Sequence, residues 1–229
     1  MKAFILAAGN GTRLRPLTET LPKCLLPIRG TPLLQIWLAN CEAAGISEVL
    51  VNIHAHAEPV KEFLRRQTSS VRVRISEETE LLGSAGTLKE NKNFVAGDDA
   101  FFVLYGDVLT DVDLSALLRF HREKSALATL GVYQVADPTR CGVVVMDDDG
   151  MVQSFVEKPA QAESNWAFSG VMAAHPEILE LVPEQRPADI GFHLLPKLVG
   201  KMAACKMGGF VLDIGTISSY TAAQSSWPG

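Results

Sequence analysis

Residues 6–18 read LAAGNGTRLRPLT and directly follow a short apolar run, Ala3–Leu6. The run predicts a buried first strand. In the segment that follows the strand, Gly9 and Gly11 let the backbone approach a ligand closely and turn several N–H groups towards one anion. A Rossmann dinucleotide loop would have a third glycine where this chain has Leu14, and a P-loop would end in Gly-Lys-Ser or Gly-Lys-Thr. The segment therefore predicts an anion site of another kind.

Two cations follow these glycines on the same excursion of the chain. Arg13 lies within the first stretch, and Lys23 lies in LPKCLLP at residues 21–27. Pro16 and Pro22 favour a long loop over a helix that starts at once. The guanidinium of Arg13 and the ammonium of Lys23, beside several backbone N–H groups, could bind the negatively charged oxygens of a triphosphate.

Strand and helix patterns alternate through the first half of the chain. They predict strands at Glu48–Ile53, Val71–Ile75 and Phe101–Tyr105, and helices at Leu33–Ala44, Glu58–Arg66, near Leu88 and at Leu114–Lys124, the last with Asp113 as its N-cap. Such alternation with short links predicts an α/β fold with a Rossmann-like, mostly parallel sheet and helices on both faces.

The second half of the chain has mostly strand patterns. They lie at Leu127–Val135, Val143–Met146, Val152–Glu157, Ala167–Ala173 and Phe210–Asp213, with a hairpin turn at residues 147–150. We expect a small antiparallel lobe here, and one domain with two lobes over residues 1–229, because no repeat or long linker is present.

Composition limits the function classes. A net charge of −5 and a pI near 5.6 argue against a nucleic-acid binder. No apolar run reaches membrane-spanning length, and the first one is too short for a signal peptide. The four cysteines are scattered, so free thiols are expected. We expect a cytoplasmic protein without membrane or nucleic-acid partners, and the oligomeric state stays open, a homo-oligomer included.

Two carboxylates follow apolar strands at distant points of the sequence. Asp107 comes directly after Phe101–Tyr105, and Asp213 ends a second apolar run. Each alone would be read as a turn or cap residue, but two strand-end carboxylates can share one Mg²⁺ that keeps waters and binds phosphate oxygens. Asp111 and Asp113 form an Asp-Val-Asp that resembles a glycosyltransferase metal motif, yet a turn plus a helix N-cap is the favoured interpretation.

The whole stretch from Leu6 to Pro27 resembles the signature of the sugar-1-phosphate nucleotidyltransferases. With GDVLTD at residues 106–111 and FVEKP at residues 155–159, the chain is most similar to the mannose-1-phosphate guanylyltransferases of that family. The resemblance implies an Mg²⁺-assisted in-line reaction of a nucleoside triphosphate with a sugar 1-phosphate, releasing pyrophosphate. Longer members add a C-terminal β-helix of hexapeptide repeats, which we do not expect in this chain.

The resemblance also implies a role for particular residues. Catalysis is expected from Arg13, Lys23, Asp107 and Lys158, and metal binding from Asp107 and Asp213. Nucleotide binding is expected from Leu6, Ala7, Ala8, Gly9, Gly11, Thr12, Arg13, Lys23, Glu78, Gly83, Gly86 and Asp107. Sugar binding is expected from Gly142, Glu157, Lys158, Ser169 and Gly170.

The base and the sugar are less constrained. Guanine presents two adjacent donors that one carboxylate, from Glu78 or Glu80, could accept, whereas uracil presents one. This favours GTP, and the resemblance implies a mannose- or heptose-type 1-phosphate. Phe168 stands where most guanylyl members have asparagine, and the short length is closer to N-acetylmuramate-1-phosphate uridylyltransferases. A uridylyltransferase, a non-catalytic sensor of sugar nucleotides and a glycosyltransferase stay open as alternatives.

Overall fold

A computed structural model describes residues 1–229, which divide into two compact units. The first unit comprises Met1–Leu81, Leu104–Val112 and Gly209–Gly229, and the second comprises Leu82–Val103 and Asp113–Gly208. The strands are β1 Lys2–Leu6, β2 Pro27–Ile28, β3 Thr31–Pro32, β4 Glu48–Ile53, β5 Arg72–Glu77, β6 Phe101–Tyr105, β7 Val108–Thr110, β8 Ala128–Gln134, β9 Gly142–Met146, β10 Val152–Glu157, β11 Trp166–Ala174, β12 Met202–Lys206 and β13 Val211–Asp213. The helices are α1 Leu33–Ala43, α2 Ala57–Arg66, α3 Ser84–Glu90, α4 Leu114–Lys124 and α5 Ile217–Ser226.

The first unit contains a parallel sheet. β1 pairs with β4 and β4 pairs with β5, so that Ile5 lies opposite Val51 and Val51 opposite Ile75. All residues of β4 are buried, as expected for an inner strand covered on both faces. Because parallel strands end at the same edge, the segments after β1, β4 and β5 begin close together.

A two-stranded antiparallel ribbon completes the first unit. β13 pairs with β7, with Val211 opposite Thr110 and Asp213 opposite Val108. The chain then enters α5 through a capping box, in which the Thr216 hydroxyl accepts from the Ser219 amide at 3.1 Å.

The second unit is mainly antiparallel. β11 pairs with both β8 and β9, β9 forms a hairpin with β10, and β12 joins β8 in parallel. The β11 register shifts between Phe168 and Met172, where Gly170 takes a left-handed φ of 79°. The pairing of β11 with β8 is therefore irregular at residues 169–171.

The α/β class with a mostly parallel sheet and smaller antiparallel parts is confirmed. β4, β6, β10 and α4 have the predicted bounds, and Asp113 caps α4 by accepting from the Ala116 amide at 2.9 Å. The short strands β2, β3 and β7, together with β12 and α5, were not predicted from the sequence. α5 contains mostly small and polar residues, so no apolar periodicity marks it. A single domain with two lobes stays a prediction.

The four cysteines are free thiols, as predicted. Burial raises the pKa of Cys24 and of Cys41 to about 12, so both are protonated at neutral pH and unreactive. None of the helices combines the length and the apolar character that crossing a bilayer requires.

Candidate functional site

The first loop follows the carboxyl end of β1 and is held by its own backbone. Gly11 takes a left-handed φ of 61°, and its carbonyl accepts from the Leu14 amide at 2.9 Å and from the Thr18 hydroxyl at 2.8 Å. Leu14 is fully buried and anchors the loop. A Cβ at Gly9 would meet no atom within 4 Å, so the backbone there is open to a ligand. The loop fits the predicted anion site.

A cavity of about 460 Å³ opens beside this loop. Its lining residues are Asn10, Thr12, Arg15, Thr18, Glu19, Ala55 and His56. This volume is in the range of small-molecule sites. Arg15 was not among the predicted site residues, although it lies two residues after Arg13 and carries the same guanidinium group.

Lys23 lies beside both predicted metal-binding carboxylates. Its ammonium donates to Asp107 Oδ2 at 2.7 Å and lies 3.7 Å from Asp213 Oδ1. The lysine side chain is 10% exposed, whereas those of Asp107 and Asp213 are 39% and 59% exposed. The three residues come from different parts of the sequence and form one charged cluster, the Lys23 cluster.

Backbone pairing creates this cluster. Asp107 follows β6, and its carbonyl accepts from the Ile214 amide at 3.1 Å, while the β7–β13 ribbon places Asp213 opposite Val108. The Gly106 amide donates to the Leu6 carbonyl at 2.9 Å, and a Cβ there would lie 2.8 Å from that oxygen. Only glycine allows Asp107 to follow so close to β1.

Arg13 approaches the cluster beside Gly215. A Cβ at Gly215 would lie 2.7 Å from Asp213 Oδ1 and 3.0 Å from Arg13 Nη2. Four of the predicted catalytic or metal-binding residues, Arg13, Lys23, Asp107 and Asp213, are thus brought together in the first unit.

The donor set of the cluster suits Mg²⁺. One oxygen of Asp107 and one of Asp213 lie within 4 Å of Lys23 Nζ, so both carboxylates already face a single cation. Mg²⁺ is typically bound by one or two carboxylates together with waters and substrate phosphates. No group of three or more His, Cys, Asp or Glu side chains is arranged around a common metal position. A metal here would therefore take much of its coordination shell from water and phosphate.

Asp111 and Asp113 do not act as a pair. Asp111 Oδ1 accepts from the Phe210 amide at 2.6 Å, and Asp113 caps α4 and lies 3.7 Å from Arg119. The favoured interpretation, a turn plus an N-cap, is confirmed for Asp113.

Asn52, near the end of β4, is a candidate site residue that was not predicted from the sequence. It is buried, its Oδ1 accepts from the Ala7 amide at 2.7 Å, and its Nδ2 donates to Glu78 Oε1 at 2.8 Å. Glu78 is 6% exposed, while Glu80 is exposed. The two glutamates offered for base recognition therefore differ in burial, and Glu78, the one predicted to bind the nucleotide, is the buried one. A polar residue at the carboxyl end of a parallel strand was the available signal.

In the second unit, Glu157 and Lys158 follow one another at the end of β10. The Glu157 side chain is 17% exposed and that of Lys158 is 58% exposed, with Lys158 Nζ 3.6 Å from Glu157 Oε1. A Cβ at Gly142 would lie 2.8 Å from Glu157 Oε2, and one at Gly191 would collide with the same oxygen. Two glycines therefore make room for this carboxylate.

Burial raises the pKa of Glu157 above its ordinary value, and the neighbouring Lys158 offsets only part of this shift. Between pH 4.5 and the raised pKa, Glu157 keeps its proton in the folded protein and loses it in the unfolded chain. The free energy of unfolding therefore falls as pH rises through this range. We expect Glu157→Gln to raise Tm relative to wild type at about pH 8, and to lose this gain near pH 5, in thermal denaturation followed by circular dichroism.

Glu163→Gln, at an exposed glutamate of the same unit, is the matched control. A Tm difference for Glu157→Gln that is equal at both pH values would contradict the role of burial.

The other predicted residues of the second unit have packing contacts. A Cβ at Gly83 would collide with the Ala188 carbonyl, and that carbonyl also accepts from the Gly86 amide at 3.0 Å. Ser169 is 3% exposed, and its hydroxyl accepts from the Val171 amide at 3.3 Å. Binding roles for Gly83, Gly86, Ser169 and Gly170 stay predictions.

The family model described as "Nucleotidyl transferase" matches residues 2–227. The chain belongs to the nucleotidyl transferase family. This confirms the resemblance that the sequence analysis drew from the first loop and from GDVLTD and FVEKP.

Individual relatives of this chain differ in their named substrates. A UTP–glucose-1-phosphate uridylyltransferase from Synechocystis is 37% identical over 96% of this chain and 61% of its own length. Mannose-1-phosphate guanylyltransferase 1 from Arabidopsis thaliana is 35% identical, over 96% of this chain and 63% of its own length. The chain thus spans about three fifths of these relatives.

The fold has a close counterpart among solved structures. A Bacillus anthracis protein, provisionally named a glucose-1-phosphate thymidylyltransferase and crystallised with sucrose, superposes with a TM-score of 0.87. It is 25% identical and covers 98% of this chain and 94% of its own.

Proposed function

We propose that this chain transfers a nucleotidyl group from a nucleoside triphosphate to a sugar 1-phosphate, giving a nucleotide sugar and pyrophosphate. The observation that carries the proposal is the Lys23 cluster, in which one ammonium faces two carboxylates beside a glycine-rich anion loop. Such an arrangement suits a triphosphate together with a divalent metal.

The proposed reaction is a single in-line displacement. An oxygen of the sugar 1-phosphate bonds to the α-phosphorus, the bond from that phosphorus to the oxygen bridging towards the β-phosphate breaks, and pyrophosphate leaves with that electron pair. No covalent enzyme intermediate forms. Chemistry of this type needs positioning and neutralised charge more than an enzyme nucleophile.

Each charged group has a part in this proposal. Amides of residues 9–12 and the Arg13 guanidinium bind the triphosphate, and Lys23 donates to the reacting phosphate oxygens. Mg²⁺ held by Asp107 and Asp213 would supply further charge neutralisation at the phosphates. Lys158 orients the attacking phosphate, and Glu157 accepts hydrogen bonds from sugar hydroxyls.

We favour GTP as the nucleotide and a mannose- or heptose-type 1-phosphate as the acceptor. Glu78 supports guanine, because its buried carboxylate is oriented by Asn52 and a carboxylate can accept from both N1–H and the amino group of guanine. The resemblance to the Arabidopsis guanylyltransferase supports the same choice. The four free thiols are in keeping with a cytoplasmic setting.

A uridylyltransferase is the second candidate. It is favoured by the 37% identity to the Synechocystis relative that is named for UTP and glucose 1-phosphate, and by Phe168 in place of the asparagine of most guanylyl members.

Pyrophosphate release tests the proposal directly. The protein is incubated with Mg²⁺ and each pairing of GTP, UTP, dTTP or ATP with mannose, glucose, heptose or N-acetylmuramate 1-phosphate, and products are identified by mass spectrometry. We expect the fastest release with GTP and a mannose- or heptose-type 1-phosphate. Faster turnover with UTP would select the second candidate.

The remaining alternatives give different results in the same assay. A sensor of sugar nucleotides would bind them without turnover, and a glycosyltransferase would consume a nucleotide sugar without making pyrophosphate. No release from any pair would overturn the proposed reaction.

A further inference from the structure

Phe192 is an exposed aromatic residue in the second unit. It is 53% exposed, more than any other large hydrophobic side chain of the chain. A single exposed apolar residue needs no explanation by itself, so its surroundings must decide whether it has a role.

The ring of Phe192 lies next to the two charged residues of the proposed sugar site. Lys158 Nζ is 5.8 Å from the ring centroid, within the range of a cation–π contact. The preceding residue, Gly191, lies against the Glu157 carboxylate, where any side chain would collide with Oε2. An aromatic face, an ammonium and a carboxylate therefore share one small surface.

The backbone that presents Phe192 is unusual and firmly held. Ile190–Leu194 forms a π-helical turn, a geometry that often occurs at functional sites. The Ile190 amide donates to Ser84 Oγ at 2.8 Å, and the Asp189 amide donates to His193 Nδ1, also at 2.8 Å. These bonds fix the turn on both sides of the aromatic ring.

We propose that Phe192 is the stacking surface for the sugar ring of the 1-phosphate substrate. This inference rests on the proposed function. A sugar 1-phosphate presents hydroxyls, a phosphate and an apolar face of C–H groups. Glu157 suits the hydroxyls and Lys158 suits the phosphate, and an exposed aromatic ring beside both suits the C–H face. Phe192 then selects pyranoses that offer a flat C–H face.

Kinetics of three substitutions at this position test the proposal. Phe192→Ala is expected to raise KM for the sugar 1-phosphate about tenfold, as loss of an aromatic contact does, while KM for the nucleotide changes less than about twofold. Phe192→Trp keeps an aromatic face and should remain within about threefold of wild type. Phe192→Leu keeps apolar volume without that face and should behave like Phe192→Ala.

Val156→Ala is the matched control, because Val156 is 47% exposed in the same unit and points to the opposite face of β10 from Glu157. It should leave both KM values unchanged. An unchanged sugar KM in Phe192→Ala, or equal rises in the KM values for sugar and nucleotide, would overturn the stacking role while the proposed reaction stands.

A binding measurement keeps the two proposals separable. Mannose 1-phosphate and glucose 1-phosphate are titrated with protein in proton NMR, where an aromatic ring stacked on the sugar moves its C–H signals upfield. We expect the shift with wild type and Phe192→Trp and its loss with Phe192→Ala. If no substrate pair releases pyrophosphate, the proposed reaction fails, and this shift still decides the role of Phe192. No shift with wild-type protein for either sugar overturns the inference.

Discussion

Asp107→Asn is expected to lower kcat about a thousand-fold, measured as pyrophosphate release with saturating substrates and Mg²⁺. The amide of asparagine keeps the shape of the side chain but removes its negative charge. The variant therefore loses the ion pair with Lys23, whose Nζ lies 2.7 Å from Asp107 Oδ2 in the wild-type protein. Asparagine is also a poor ligand for Mg²⁺ beside Asp213. The effect belongs to kcat because the lost interactions act on the reacting phosphates.

The fold of the Asp107→Asn variant should persist. Its backbone carbonyl still accepts from the Ile214 amide, which joins this segment to the end of β13. The broken ion pair is partly exposed, so we expect a loss of about 1 kcal/mol in the free energy of unfolding. Asp148→Asn, in the exposed turn between β9 and β10, is the control and should keep wild-type turnover. Wild-type kcat in folded Asp107→Asn would refute the assignment of this carboxylate.

Lys23→Ala is expected to reduce kcat by about 100- to 1000-fold, the range found when one preorganised donor to a developing negative charge is removed. The lysine side chain is 10% exposed and faces two carboxylates, so its ammonium is held in position before any substrate binds. Lys23→Met should lose as much turnover while keeping most of the buried stem, which separates the loss of charge from the loss of packing.

Metal titration of the Lys23→Met variant adds a measurement that does not depend on turnover. Without the ammonium, Asp107 and Asp213 repel each other, and Mg²⁺ no longer competes with Lys23 for their oxygens. We expect Mg²⁺ to raise Tm of Lys23→Met by more than it raises Tm of wild type. Lys201→Ala, at an exposed lysine, is the control for both measurements. Equal Mg²⁺ effects on Tm in variant and wild type would argue against a shared cation position.

Much of the fold was predictable because local patterns agree with the tertiary structure. The apolar runs of β4 and β6 and the N-cap at Asp113 were all readable from the sequence, since each depends on neighbouring residues. The helix α5 could not be predicted from the sequence. Its position is set by contacts far away in the sequence, such as the Tyr220 hydroxyl that donates to the Pro27 carbonyl at 2.8 Å.

In the candidate site, too, some features were predictable from the sequence and others depend on the tertiary structure. The sequence offered Glu78 or Glu80 as the carboxylate for base recognition, and only Glu78 was placed among the nucleotide-binding residues. The structure buries Glu78 beside Asn52 and leaves Glu80 exposed. Phe192 was not predicted, because it lies in the apolar stretch of residues 190–199, where the sequence does not distinguish one exposed side chain from its buried neighbours. The proposed role of Phe192 depends on its contact with Lys158 and on the position of Gly191 against the Glu157 carboxylate.

The sequence was enough to predict the glycine-rich loop, the cations that follow it and the longer strands and helices of the first half, but not β2, β3 or β7. The predicted features depend on residue type and spacing: glycine conformations, fixed charge and apolar periodicity. The meeting of both carboxylates at Lys23 depends on the tertiary structure, because Asp107 and Asp213 are far apart in sequence. The pairing of β13 with β7 joins them, and Gly106 and Gly215 leave the space that this close approach needs.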